Sequence, residues 1–242
     1  IVDPDLVLWY RFDESSGNVA ADSSGGAGTR DGTVATAGSG SATFSTDCQV
    51  GTHALRLAPS SYGSGGGYVT TPAPASLAPG AMTIALWVKL AAATSAQDWA
   101  RIFDFGSGTG SNIPYLYLTA RASDATGTPP RFGMSLIGHL TTGEQRLEGT
   151  SALTANVWHH LAVVLPAGAA TYTGTLYIDG VAVASNDAMT IRPSDIGPTT
   201  QNWLGRSQGW QMRLNQARIV GLKSSRTSIP LSRAAPLKNQ LR

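Results

Sequence analysis

The stretch Met82–Leu90, MTIALWVKL, limits the possible folds most. Met82, Ile84, Leu86, Val88 and Leu90 fall on one side of an extended chain. Thr83, Ala85, Trp87 and Lys89 fall on the other, which is the period of a half-buried strand. The same period runs through WHHLAVVL (Trp158–Leu165), with Leu161, Val163 and Leu165 predicted inward. TGTLYIDGVAVASN reads as a hairpin, because Asp179-Gly180 accepts the positive φ of a type I′ turn. Further strands are expected at Leu6–Phe12, Ala54–Leu57, Gly67–Thr70, Arg101–Phe105, Tyr115–Ala120, Phe132–Ile137, Gln145–Leu147, Asn202–Gly205 and Ala217–Lys223. Gly/Ser/Thr/Pro clusters between them read as turns, and Ser23–Ser41 and Ser60–Gly67 as surface loops. No segment carries a sustained 3.6-residue stripe. Roughly a dozen short strands without helices predict an all-β chain, a sandwich or barrel, and in a sandwich each sheet buries one face.

A chain of 242 residues suits one large all-β domain. A globule of this size buries roughly 70% of its unfolded surface and needs no staples. The single cysteine, Cys48, forbids an internal disulfide, and no Cys/His cluster points to structural zinc. No apolar run approaches the ~20 residues of a membrane span, so no membrane partner is expected. The opening IVDPDLVLW reads as the start of a processed or excised domain, with no signal peptide visible. Charged residues make up only 13%, the polar load falling on Ser, Thr, Asn, Gln and Gly, as is common on secreted proteins. The net charge is +2, and basic residues crowd only between Arg206 and Arg242, which reads as a solvated end ahead of the alternative, contact with an anionic partner. Nothing here predicts a nucleic-acid partner. No repeat of 20–50 residues is evident, and no phosphate-cradling GxxxxGK[ST] occurs.

Several phrases in order, LVLWYRFDESSGNVAADSSG, MTIALWVKL, WARIFDFGSG, WHHLAVVL, GTLYIDGVAVASN and TTQNWLGRSQ, resemble the laminin-G-like, concanavalin A-like lectin family of bacterial secreted proteins. The likeness covers roughly residues 5–232. It implies a two-sheet antiparallel β-sandwich of the jelly-roll type, with about six or seven strands per sheet. We place that domain at 1–232 and a C-terminal tail at 233–242. Such modules are often appended to glycoside hydrolases, where they bind glycan or pack beside a catalytic domain. The resemblance also implies a calcium linking the DSSG loop to the closing strand. Asp22 of ADSSG is retained, but Val220 and Gly221 stand where the closing strand's two aspartates would be. Calcium takes six to eight oxygens, which here would have to come from Asp22, backbone carbonyls and Asp13 or Asp31.

Two glutamates, Glu144 and Glu148 in GEQRLEG, have the spacing of a carboxylate pair on one strand face. Retaining glycosidases use two carboxyl groups ~5–5.5 Å apart, and on this fold the motif is E-x-D-x-E. Here the middle residue is Arg146, and a guanidinium favours ionised carboxylates, whereas a general acid must hold its proton. The pattern therefore predicts an exposed charge ladder with cross-strand pairing. His159 and His160, being adjacent, face opposite sides of their strand, and His160 is expected to be hydrogen-bonded within the sheet. No GxSxG elbow supports a nucleophile.

The plausible sugar contacts are aromatic. Trp99, Trp203 and Trp210 sit in polar surroundings, while Trp9, Trp87 and Trp158 sit in regular strands. If the run after Gln201 stays extended, Asn202, Leu204, Arg206 and Gln208 share a face, and Tyr115 shares one with Tyr117. The expected carbohydrate-binding set is Trp99, Arg101, Tyr115, Asn202, Arg206, Gln208 and Trp210, with Asp22 as the metal ligand of a structural calcium. The sequence thus predicts a non-catalytic, lectin-like accessory module of a secreted protein, binding polysaccharide by tryptophan stacking and Arg/Asn/Gln hydrogen bonds. The rival readings are an adhesin or spacer domain and, less favoured, a glycoside hydrolase or polysaccharide lyase on the same fold.

Overall fold

The computed structural model describes residues 5–25, 30–58, 65–72, 80–91, 99–108, 112–122, 128–137, 143–168 and 170–208, and the backbone of 217–225. They form two antiparallel eight-stranded sheets. The first runs, in spatial order, β14 (Val181–Met189), β13 (Tyr172–Ile178), β12 (Trp158–Leu165), β7 (Met82–Lys89), β16 (Ala217–Ser225), β5 (Ala54–Ala58) and β4 (Ser41–Ser45). Its eighth strand, β1 (Leu6–Tyr10), also pairs with β16. The second runs β11 (Gln145–Glu148), β10 (Arg131–Ser135), β9 (Tyr115–Thr119), β8 (Arg101–Gly106), β15 (Gln201–Leu204), β6 (Gly66–Thr70), β3 (Gly32–Ala37) and β2 (Val19–Ala20). A one-turn helix, α1 (Pro193–Ile196), precedes β15.

The alternation seen in the sequence builds the core. Met82, Ile84, Leu86, Val88 and Leu90 of the β7 stretch all enter it, at 0–4% exposure. Leu161, Val163 and Leu165 of β12 meet them from the neighbouring strand. Phe103, Phe105, Leu116, Leu118, Phe132, Met134 and Leu147 close the core from the second sheet. Each such side chain, fully buried, contributes about 1.5–3 kcal/mol. The β13–β14 hairpin turns at Asp179 (φ 52°) and Gly180 (φ 84°), both in the left-handed region that a type I′ turn requires.

Four expectations need correction. The outer face of β7 is covered where solvent was expected: Trp87 is 6% exposed and Thr83 2%. Trp87 packs with Ala54, Cys48, Val50 and Trp158 in a second apolar cluster. The His160 ring meets Trp87 edge-on at 5.2 Å, so it is held by packing on an indole, and burial depresses its pKa. The stretch read as a loop between Ser23 and Ser41 contains β3, whose Val34 reaches the core. Each sheet has eight strands, above the six or seven implied.

The closing strand changes neighbours along its length. Ala217–Ile219 pair with β5, and Leu222–Ser225 pair with β1 on the same edge. The register with β7 shifts between Val220 and Lys223, a bulge at the changeover. Edge strands β11 and β14 are tied side chain to backbone. Gln145 Oε1 accepts from the N–H groups of Thr190 (2.9 Å) and Ile191 (3.0 Å), and its amide donates to Thr190 Oγ1 at 2.7 Å. These bonds fasten the residues that follow β14 to β11 across the two sheets.

Candidate functional site

The outward face of the second sheet carries the chemistry. On β9, Leu116 and Leu118 point into the core, so Tyr115 and Tyr117 point out. On β8 a register shift between Arg101 and Phe103 puts Ile102 and Phe103 both inward. That bulge brings Arg101 and Asp104 to the outer face together, where Arg101 Nε donates to Asp104 Oδ2 at 3.2 Å. The Arg101 guanidinium lies 3.7 Å over the Tyr117 ring, close for a cation–π contact. Tyr117 in turn lies over Gly133 on β10, where an added Cβ would sit 2.7 Å from the ring.

The centre of this face is closed. Tyr115 and Tyr117 stack at 5.9 Å and are 1% and 2% exposed. Their hydroxyls donate to the two oxygens of Glu144, at 2.6 and 3.1 Å. Burial first, and the adjacent Glu144 second, raise both phenol pKa values, that of Tyr117 to about 12. Asp104 is fully buried. Desolvation pushes its carboxyl up to about 6 against the opposing pull of Arg101 and the Gln208 N–H. Its Oδ2 accepts that N–H at 3.1 Å, while Oδ1 has no hydrogen bond among the described residues.

The rim of the face is open and aromatic at two places. At one, the half-buried Trp99 ring lies 5.0 Å from the Arg131 guanidinium and 5.9 Å from that of Arg101. Trp99 holds φ 58°, and its N–H donates to Arg121 O at 2.9 Å, which fixes the turn presenting the indole. At the other, Trp203 of β15 and Tyr68 of β6 flank Arg206, whose guanidinium lies 4.2 Å from one ring and 4.8 Å from the other. Strand spacing and rise set the two stations on the order of 12 Å apart, a span that one sugar ring does not bridge.

Of the residues expected to bind sugar, Trp99 and Arg206 reach the open rim. Arg101 and Tyr115 lie on the same face but are 6% and 1% exposed, bracing the ring and the carboxylate just described. Gln208 is a latch: its amide donates to Gln201 O at 2.5 Å and Asp104 O at 3.4 Å, and its oxygen accepts Gly108 N–H at 2.8 Å. Asn202 shares a face with Leu204 as expected, but that face is the inner one. It pairs with Phe105, on the core side, and closes its own turn by accepting Thr199 Oγ1–H at 2.6 Å and donating to Thr199 O. Gly205, at φ 77°, breaks the extended run, so Arg206 turns outward while Asn202 and Leu204 face inward. Trp210 lies outside the described residues. The sequence reading missed Asp104, Arg131 and Tyr68 as parts of this face. An acid between two phenylalanines in RIFDFG was the available signal for the first.

The glutamate ladder is paired, but only partly exposed. Arg131 grips Glu148 at 3.1 and 2.9 Å, and Arg146 Nε donates to Glu144 at 2.6 Å. The Glu144 side chain is only 9% exposed, because the two tyrosines cover it. At Asp22, Oδ1 accepts the N–H groups of Trp9 (3.0 Å) and Ser24 (2.9 Å), and Oδ2 accepts the Ser24 hydroxyl at 2.8 Å. Asp13 is likewise spent on Thr52 and Arg11. Among the described residues no group of three His, Cys, Asp or Glu side chains that could hold a metal ion forms.

Two stacked antiparallel sheets with an aromatic and arginine-lined outer face define a lectin-like β-sandwich. The chain belongs to the concanavalin A-like lectin/glucanases superfamily, whose laminin-G-type model matches residues 63–228. Comparison with curated protein sequences returns no match. Among solved structures, the chain is similar to domain 4 of AbnA, a GH43 extracellular arabinanase from Geobacillus stearothermophilus, solved in complex with arabinotriose. That likeness has TM-score 0.68 and 19% identity, over 96% of this chain and 98% of the other. It is also similar to the binding domain of botulinum neurotoxin DC solved with SialylT (TM-score 0.59, 12% identity, 98% of this chain, 51% of the other). A third likeness is to Trypanosoma rangeli sialidase (TM-score 0.61, 14% identity, 97% of this chain). The chain thus spans about half of the toxin domain and 32% of the sialidase. At these identities the likenesses establish the fold. Among the described residues no helix is long and apolar enough to cross a membrane.

Proposed function

We propose that this chain is a non-catalytic carbohydrate-binding module of a secreted protein, working beside a catalytic domain, and that it binds oligosaccharide along the outer face of the second sheet. The observation that carries the reading is the pair of open aromatic stations, Trp99 and Trp203, each held by an arginine and separated by a closed polar centre. Sugar rings lay their C–H faces on indoles, while Arg131, Arg206 and Gln201 offer donors and acceptors to hydroxyls. Such shallow, wet contacts give modest affinity. Each of the two glutamates is gripped by an arginine, and Glu144 also by two phenols, which supports a binding rather than a catalytic role for this face. The arabinotriose bound by the similar arabinanase domain makes arabino-oligosaccharides the first ligands to try.

The test is affinity electrophoresis against plant and microbial polysaccharides, run beside a reducing-end assay on the same polymers. Retardation by at least one polymer without release of new ends is expected. Release of ends, or no retardation by any polymer, overturns the proposal, the second result favouring a spacer or protein-binding role.

A further inference from the structure

On the outer face of the second sheet, three arginines have carboxylate partners: Arg101 with Asp104, Arg131 with Glu148 and Arg146 with Glu144. Arg206 has none. Among the described residues its guanidinium makes no hydrogen bond and no ion pair, only the two ring contacts with Trp203 and Tyr68. The three pairs cancel, so of these four described arginines only Arg206, at one aromatic station, keeps its charge uncompensated. The guanidinium carbon sits 4.2 Å from the Trp203 centroid and 4.8 Å from that of Tyr68, contacts that do not use up its N–H groups. A guanidinium so held is pre-organised for an anion's oxygens and loses little side-chain freedom on binding.

We infer that Tyr68, Trp203 and Arg206 form an anion-reading subsite, and that the saccharide bound here carries acidic groups, the Arg206 fork pairing with the acid while the neighbouring rings meet the sugar. This deepens the glycan-binding proposal and rests on it. Trp99, with its arginine already matched by Glu148, reads the neutral part of the same ligand.

The probes are oligogalacturonate, its methyl ester and a neutral arabino-oligosaccharide, with a sulfated galactan as the second acid, titrated calorimetrically into the full chain. An acidic probe is expected to bind about tenfold or more tightly than the ester, and Arg206→Gln to erase that difference. Arg206→Lys, a point charge without the fork, should recover only part of it. Arg56→Gln, on β5 of the first sheet, controls for diffuse attraction to a basic protein and should leave the difference intact. Preference for the carboxylated or the sulfated probe identifies which acid is read. Equal binding of ester and acid, or an equal loss with Arg56→Gln, overturns the subsite while the glycan-binding proposal stands. Silence of every probe, neutral ones included, removes both.

Discussion

The packing of Tyr117 over Gly133 makes a direct demand on the sequence. Gly133 has ordinary strand dihedrals, so backbone conformation does not require glycine there. Space does: a Cβ would sit 2.7 Å from two ring carbons of Tyr117 and 2.8 Å from its hydroxyl. In Gly133→Ala the ring must lift. It then gives up its hydrogen bond to Glu144 and its seat under Arg101. Overpacking costs about 1–3 kcal/mol, a buried hydrogen bond about 1 kcal/mol and a desolvated cation–π contact up to about 2 kcal/mol. These losses overlap, and a net cost of about 3 kcal/mol is expected. For a domain of this size that lowers Tm by about 6–12 °C, read by scanning calorimetry. Gly80→Ala is the control: nothing lies within 4 Å of its Cβ, so it should be neutral or slightly stabilising. A Gly133→Ala protein melting with the control would refute the ring-on-glycine packing and with it the closed centre of the face.

Two further predictions follow from the carboxylates. The Asp104 carboxyl ionises near 6 in the folded chain against 3.8 for the free group, so the folded state binds its proton more tightly and stability falls as pH rises through that window. The gap is worth about 3 kcal/mol, and urea titrations from pH 4 to 7 should show the decline in the parent and its loss in Asp104→Asn; an unchanged profile would contradict it. Asp22 has both oxygens filled by its own loop, so EDTA is expected to leave Tm unchanged, whereas calcium held at 100 times its Kd would add about 2.7 kcal/mol and a clear upward shift.

The strands were legible where period two was strong and the side chains large. The β7 and β12 alternation placed every inward residue correctly. The turn at Asp179-Gly180 was legible because few pairs tolerate two positive φ values. β3 was hidden because GTVATA alternates small groups, so its pattern matches that of a loop. The site was less legible, because its parts meet across the sheet. Tyr115 finds Glu144 29 residues away, and Asp104 finds Gln208 104 residues away. Local polarity marked Trp99 and Arg206. It did not reveal the β8 bulge that turns Arg101 and Asp104 to one side, nor the Gly205 turn that parts Arg206 from the inward face of Asn202 and Leu204.

The indole N–H resonances of the tryptophans report on the binding face directly. In a titration with the polysaccharide fragment that binds best, the Trp99 and Trp203 signals should shift together and saturate with one affinity, while those of Trp87 and Trp158, on the first sheet, stay in place. Shifts confined to Trp87 and Trp158 would put the sugar on the opposite sheet and contradict the account.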